Sequence, residues 1–187
     1  MSGYVPLALR VRAPVVTVTV KVGLDEWIVV SRGALGRQVD LCTAGLSGCV
    51  AVVLMSAGQA CLSHVFSACD NDGAWTVYQH QLELPLTVMR QISPVTSAAL
   101  VYSEGTPKFL PGKIREWLTG LVGGAAVREF QASGVRVSWS SLGDWAVISK
   151  EAEANQLAYT HGYLTTASGT AVIDNWGALS NSASPAS

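Results

Sequence analysis

This chain has little charge. Lys, Arg, Asp and Glu together make up 13% of its 187 residues, and 12 basic side chains against 13 acidic ones leave a formal net charge of −1. Such a surface gives no electrostatic reason to bind nucleic acid, an anionic membrane or a strongly basic partner. Long apolar runs are missing too, although apolar residues reach 49% of the chain. The longest one around Cys49, from Cys49 to Met55, stops at seven residues, against roughly 20 needed to span a bilayer. No transmembrane segment is expected. The N-terminus lacks the order of a signal peptide, because Arg10 and Arg12 follow Val5-Pro6-Leu7-Ala8-Leu9 instead of preceding it.

Cysteine is sparse: four, at 42, 49, 61 and 69. They would allow three sets of disulfide pairings in an oxidising compartment. Cys42, Cys61 and Cys69 read more simply as small buried hydrophobes. Cys61, His64, Cys69 and Asp70 resemble half of a zinc site, but the second ligand pair that structural zinc needs is missing from the sequence, so no metal is expected. No cofactor is expected either. At this length one domain can bury about 70% of its unfolded surface without a staple.

What the chain does have is a cysteine with a specific setting. Cys49 ends the tetrapeptide Leu46-Ser47-Gly48-Cys49, with Thr43 six residues before it (49 − 43) and His64 fifteen after it (64 − 49). A thiol becomes a strong nucleophile when a neighbour takes its proton or lowers its pKa, and histidine is suited to that near neutral pH. Thr43 alone would pass as an ordinary strand former. His80 and His161 lack any comparable setting; His161 sits in Tyr159-Thr160-His161-Gly162-Tyr163 and reads as a loop histidine beside aromatics.

The alternation of Val16, Val18, Val20 and Val22 against Thr17, Thr19 and Lys21 predicts a half-buried strand, and Glu26 to Ser31 a second, joined by a hairpin link at Gly23-Leu24-Asp25. Val50 to Met55 is too short for periodicity to separate a buried strand from a buried helix. Ala60 to Ser67 predicts a strand that carries His64 beside the nucleophile. Trp75 to Leu84 and Ala98 to Ser103 also read as strands, and Pro85 and Pro94 as punctuation. The clearest helix is Pro111 to Val122, with Ile114, Trp117, Leu118 and Leu121 on one face and Gly123-Gly124 at its end. Val127 to Ala132 reads as its continuation. Val135 to Trp139, Trp145 to Ser149 and Thr170 to Trp176 read as strands, and Glu151 to Tyr159 as helical. The expected architecture is α+β: a layered β-sandwich or mixed sheets with one or two helices, in a single domain over residues 1–176. Residues 177–187, rich in Ser and Ala, are expected to be a disordered tail.

The residues from Val22 to Phe66, with Thr43, the glycine-rich turn, Cys49, the apolar run and Leu62-Ser63-His64, resemble the chemoreceptor glutamine deamidases of the CheD type. The Leu-Ser-Gly-Cys tetrapeptide is more similar to the catalytic domain of cytotoxic necrotizing factor and to Burkholderia lethal factor, deamidase toxins of the same fold. The resemblance covers roughly a quarter of the chain, and Val65-Phe66-Ser67-Ala68 departs from the apolar-Pro segment usual in the CheD type. It implies that Cys49 is the nucleophile, His64 its base and Thr43 the residue orienting the imidazole. It also implies that the nucleophile opens a helix, whose N-terminal amides would lower the thiol pKa. The amides of the turn Leu46-Ser47-Gly48-Cys49 are expected to hold the oxyanion, since glycine lets the main chain approach a substrate carbonyl.

The function so implied is conversion of a protein glutamine to glutamate, with transglutamination as a side activity if an amine reaches the thioester first. In a GTPase whose glutamine orients water, that change would disable hydrolysis. The expected setting is a bacterial effector or toxin, held in the cytoplasm before export or delivery into a target cell. A secretion partner or an immunity protein would accompany it. The competing expectations are a chemoreceptor deamidase of chemotaxis and a non-catalytic binding module with a structural cysteine.

Overall fold

The structure, a computed structural model, describes residues 16–31, 37–66, 72–139, 145–148, 163–166, 169–172 and 175–178. Its elements in chain order are β1 (Val16–Lys21), β2 (Glu26–Ser31), β3 (Arg37–Ala44), β4 (Cys49–Ser56), β5 (Gln59–Phe66), α1 (Asp72–Arg90), β6 (Val95–Tyr102), α2 (Phe109–Val122), β7 (Val127–Gln131), β8 (Gly134–Trp139), β9 (Trp145–Ile148), β10 (Tyr163–Thr166), β11 (Gly169–Val172) and β12 (Asn175–Ala178). They form a six-stranded sheet in the order β12-β2-β5-β4-β6-β7, a four-stranded sheet β1-β3-β8-β9 and the hairpin β10-β11. The α+β class and the mixed sheets agree with the sequence.

Two cores separate three layers. Along β4 the odd residues Cys49, Ala51, Val53 and Met55 enter a core shared with Val20, Val22 and Leu41, and with Val135 and Val137 of the four-stranded sheet. The even residues Val50, Val52 and Leu54 enter a second core with Tyr78, Leu82, Leu86 and Met89 of α1 and with Leu110, Ile114 and Leu118 of α2. A strand covered on both faces has no polar side, which is why Val50–Met55 shows no alternation. It is a strand, so no helix begins at Cys49.

Four other expectations change. Trp75 to Leu84 belongs to helix α1, whose buried residues Tyr78, Leu82, Pro85, Leu86 and Met89 recur at helical spacing. Of the apparently alternating residues, Val77 and Glu83 are exposed and Gln79 and Gln81 half-buried on the helix's flanks. Pro85 lies inside the helix instead of ending it, on its buried face. Val127 to Ala132 does not continue α2: Gly123 leaves the helix at φ +83°, and β7 pairs parallel with β6, so α2 serves as the crossover a parallel pair requires. Gly23-Leu24-Asp25 does turn, but β1 and β2 do not pair. β1 runs parallel to β3, while β2 lies antiparallel to β5, so the turn carries the chain from one sheet to the other.

Thr170 to Trp176 is divided between β11 and β12, and β12 extends two residues into the stretch expected as tail. Glu151 to Tyr159, His161, Cys69, Asp70 and residues 179–187 lie outside the described residues. No helix among the described residues is long and apolar enough to cross a membrane.

Candidate functional site

Cys49, Thr43 and His64 are brought together where the two sheets meet. Cys49 is the first residue of β4 and pairs with Phe66 on β5, while His64 pairs with Ala51. Directly opposed residues in an antiparallel pair share a face, so Cys49 and His64 stand on the same face of the six-stranded sheet as diagonal neighbours. Such positions lie roughly 7 Å apart at Cα, within reach of a histidine side chain. That face looks toward the four-stranded sheet, where Thr43 sits on β3.

The hydrogen bonds decide the state of the imidazole. Thr43 Oγ1 lies 2.8 Å from the Val22 carbonyl oxygen, which can only accept, so the hydroxyl spends its single proton there. The same oxygen lies 2.7 Å from His64 Nδ1 and must therefore accept the ring's N–H. This assigns the neutral tautomer protonated on Nδ1 and leaves the lone pair on Nε2. Nε2 is buried and has no hydrogen-bond partner among the described residues. Burial, and secondarily the charge of Lys21, push the imidazole pKa down to about 4. No carboxylate stands in Thr43's place to favour the charged ring. The resting imidazole is neutral at physiological pH, with its Nε2 lone pair open to a proton but weakly basic while the site stays dry.

The turn that presents Cys49 is short and closed. Cys49 N–H donates to the Leu46 carbonyl at 3.1 Å, and Gly48, third in the turn, takes φ +78°. A positive φ at that place is the signature of a type II turn, which glycine adopts without strain. Within this turn the Cys49 amide is engaged by the Leu46 carbonyl. Ser47 is exposed, Gly48 half-buried, Leu46 fully buried. Cys49 itself keeps 6% of its surface open and His64 5%, at the end of the sheet where Phe66 remains 40% exposed.

Several contributors have no signal in the sequence. Ser103 Oγ donates to the Leu46 carbonyl at 3.1 Å, and Thr106 Oγ1 lies 3.3 Å from the Cys49 carbonyl and 3.4 Å from that of Leu46. The Leu46 amide is held by the Ser133 carbonyl at 3.0 Å. On the other side of His64, Asp25 takes φ +56° and its N–H donates to the His64 carbonyl at 2.8 Å. Its carboxylate accepts the Phe66 N–H at 3.3 Å. Ser-Glu-Gly-Thr after an alternating strand reads only as a turn, and nothing in the sequence ties it to a cysteine more than fifty residues earlier (103 − 49 = 54).

Cys61 and His64 do not share a ligand sphere. Cys61 packs into the helix-side core beside Ser63, its sulfur 3.7 Å from the Ser63 hydroxyl, on the face opposite His64. No group of His, Cys, Asp and Glu able to hold a metal is found among the described residues. His80 is exposed on α1, beyond the helix-side core. A groove of about 480 Å³ between α1 and α2, lined by Glu83, Leu86, Arg90, Glu116 and Trp117, also lies on that far side of the sheet.

No protein-family model and no curated protein matches the chain.

Proposed function

We propose that the protein is a cysteine-dependent glutamine amidohydrolase acting on a glutamine side chain of another protein. The observation that carries this reading is the Thr43–His64 hydrogen bond, which fixes the ring with Nε2 unpartnered among the described residues, on the sheet face that also bears Cys49. Cys49 Sγ attacks the carboxamide carbon while Nε2 takes the thiol proton. The tetrahedral adduct collapses to a thioester as that proton passes to the leaving nitrogen, and ammonia departs. Water, giving a proton to Nε2, then cleaves the thioester to glutamate and restores the thiol. An amine arriving before water would give a transglutamination product at the same site.

Access favours a side-chain amide over a main-chain one. The sulfur is recessed, with only 6% of Cys49 open, and a glutamine carries its carboxamide on a thin methylene arm that can enter while the substrate backbone stays outside. A peptide bond would have to bring its whole chain into the opening. The setting, a secreted or delivered bacterial effector, rests on the resemblance of Leu46-Ser47-Gly48-Cys49 to deamidase toxins.

The test is intact-mass and peptide mapping of candidate target proteins, bacterial chemoreceptor fragments and small GTPases included, after incubation with wild type and with Cys49→Ser. Amide-to-acid conversion at one glutamine with wild type alone is the expected result. Modification by both forms, or cleavage of the target backbone, overturns the reading.

A further inference from the structure

The turn that presents the nucleophile is gripped by side chains from outside its own strand. Cys49 follows that turn as the first residue of β4, and its carbonyl meets the Thr106 hydroxyl at 3.3 Å. That hydroxyl also lies 3.4 Å from the Leu46 carbonyl and 3.0 Å from Ser103 Oγ, which itself donates to Leu46 at 3.1 Å. The loop is closed by the Thr106 N–H donating to the Ser103 carbonyl at 3.1 Å. Thr106 is 2% exposed although the residues on either side, Gly105 and Pro107, face solvent. A hydroxyl turned inward from an exposed loop, onto both ends of one turn, spends burial on fixing that turn.

We propose that Thr106 is the positioning residue of the nucleophile, with Ser103 as its support: their hydroxyls clamp the carbonyls of Leu46 and Cys49 and hold Cys49 in register with His64. This rests on reading Cys49 and His64 as the reacting pair. Thr106 touches neither substrate nor the reacting atoms. Its effect runs through the main chain of Leu46 and Cys49, and a small displacement of a reacting group is enough to lower a rate steeply.

Alkylation by iodoacetamide, followed at each cysteine by peptide mapping across a pH series, tests this without a known substrate. In wild type, Cys49 alkylation at neutral pH depends on His64 and slows in His64→Gln. Thr106→Val, which keeps shape and loses the hydroxyl, is expected to slow neutral-pH alkylation of Cys49 by roughly tenfold. It should converge with wild type well above the free thiol pKa of about 8.5, where the sulfur ionises unaided. Thr106→Ser, which restores the hydroxyl, should recover the wild-type profile. Three results overturn the proposal: a wild-type profile in Thr106→Val, equal slowing at every pH, or a Thr106→Ser profile as poor as that of Thr106→Val. Should Thr106→Val fail to fold, Ser103→Ala is read in its place, with a smaller loss of the same neutral-pH component expected and an unchanged profile again overturning the proposal. If His64→Gln alkylates like wild type, the pairing with His64 fails first and the positioning role falls with it. If only the Thr106 and Ser103 variants behave as wild type, the pairing stands and the positioning role alone is lost.

Discussion

Thr43 and His64 stand on different sheets, and their 2.7 Å hydrogen bond is a polar link beside a core built mainly of Val, Leu, Ile and Ala. The link couples the packing of the sandwich to the tautomer of one ring. Thr43 can act this way only because Val22, at the end of β1, offers its carbonyl to take the hydroxyl proton.

Removing that hydroxyl should therefore cost both rate and stability. Thr43→Val leaves the His64 Nδ1–H and the Val22 carbonyl unsatisfied in the interior, at about 1–3 kcal/mol. Deamidation kcat should drop roughly ten- to hundredfold, the scale seen when the orienting partner of an imidazole is lost. Thr43→Ser should keep most of both. Ammonia release and thermal unfolding of the two variants measure the two effects separately.

The depressed pKa of His64 sets a pH dependence of stability. The native ring titrates at about 4 and the unfolded one near 6.5, so between those values the unfolded chain binds the extra proton. The contribution is fully present above pH 6.5 and is lost as pH falls toward 4, amounting to about 3 kcal/mol. Urea midpoints of wild type and His64→Gln across this window should differ in slope, the variant being flatter. Equal slopes would mean that the ring is solvated in the native state. The same depression should bring the acid limb of kcat/KM toward the native ring's value of about 4, lower than an ordinary histidine base would give.

Among the cysteines at 42, 49 and 61, all buried and unbridged, Cys49 should be alkylated first in the native protein. Cys61 has no surface open, and burial pushes its thiol up to about 12. Peptide mapping after brief iodoacetamide treatment at neutral pH reads the order. Equal rates for the three would favour the binding-module reading with a structural cysteine.

Gly48→Ala tests the turn itself. A Cβ at Gly48 would meet nothing within 4 Å, but the backbone there sits at φ +78°. The cost is conformational and not steric, about 1–2 kcal/mol. Relief of that strain would rotate the turn, so the variant should lose more activity than stability. A variant with full kcat and wild-type melting temperature would show that the turn tolerates another geometry.

Local patterns in the sequence were enough for much of the framework. The strand at Val16–Lys21, the apolar face of Ile114, Trp117, Leu118 and Leu121, and the strand carrying Leu62, His64 and Phe66 all appear where their periodicity places them. The same reading failed at Trp75–Leu84, where a two-residue pattern away from the buried face of α1 masked the helical recurrence of Tyr78, Leu82, Leu86 and Met89. It failed again at Val127–Gln131, because a strand's choice of partner is a long-range matter; β7 exists by pairing with β6 across an intervening helix.

By itself the sequence determined which side chains are available for chemistry, and the order Thr43, Cys49, His64 with a glycine turn between the first two. Those are facts of composition and spacing, carried by neighbours along the chain. Only the tertiary structure decided that Cys49 opens a strand and not a helix, that Thr43 reaches His64 from another sheet, and that Ser103 and Thr106 brace the turn. The physical reason is that a proton's location, a ring's tautomer and a carbonyl's partner depend on groups within about 3 Å in space, and here those groups are 21 to 60 residues apart along the chain.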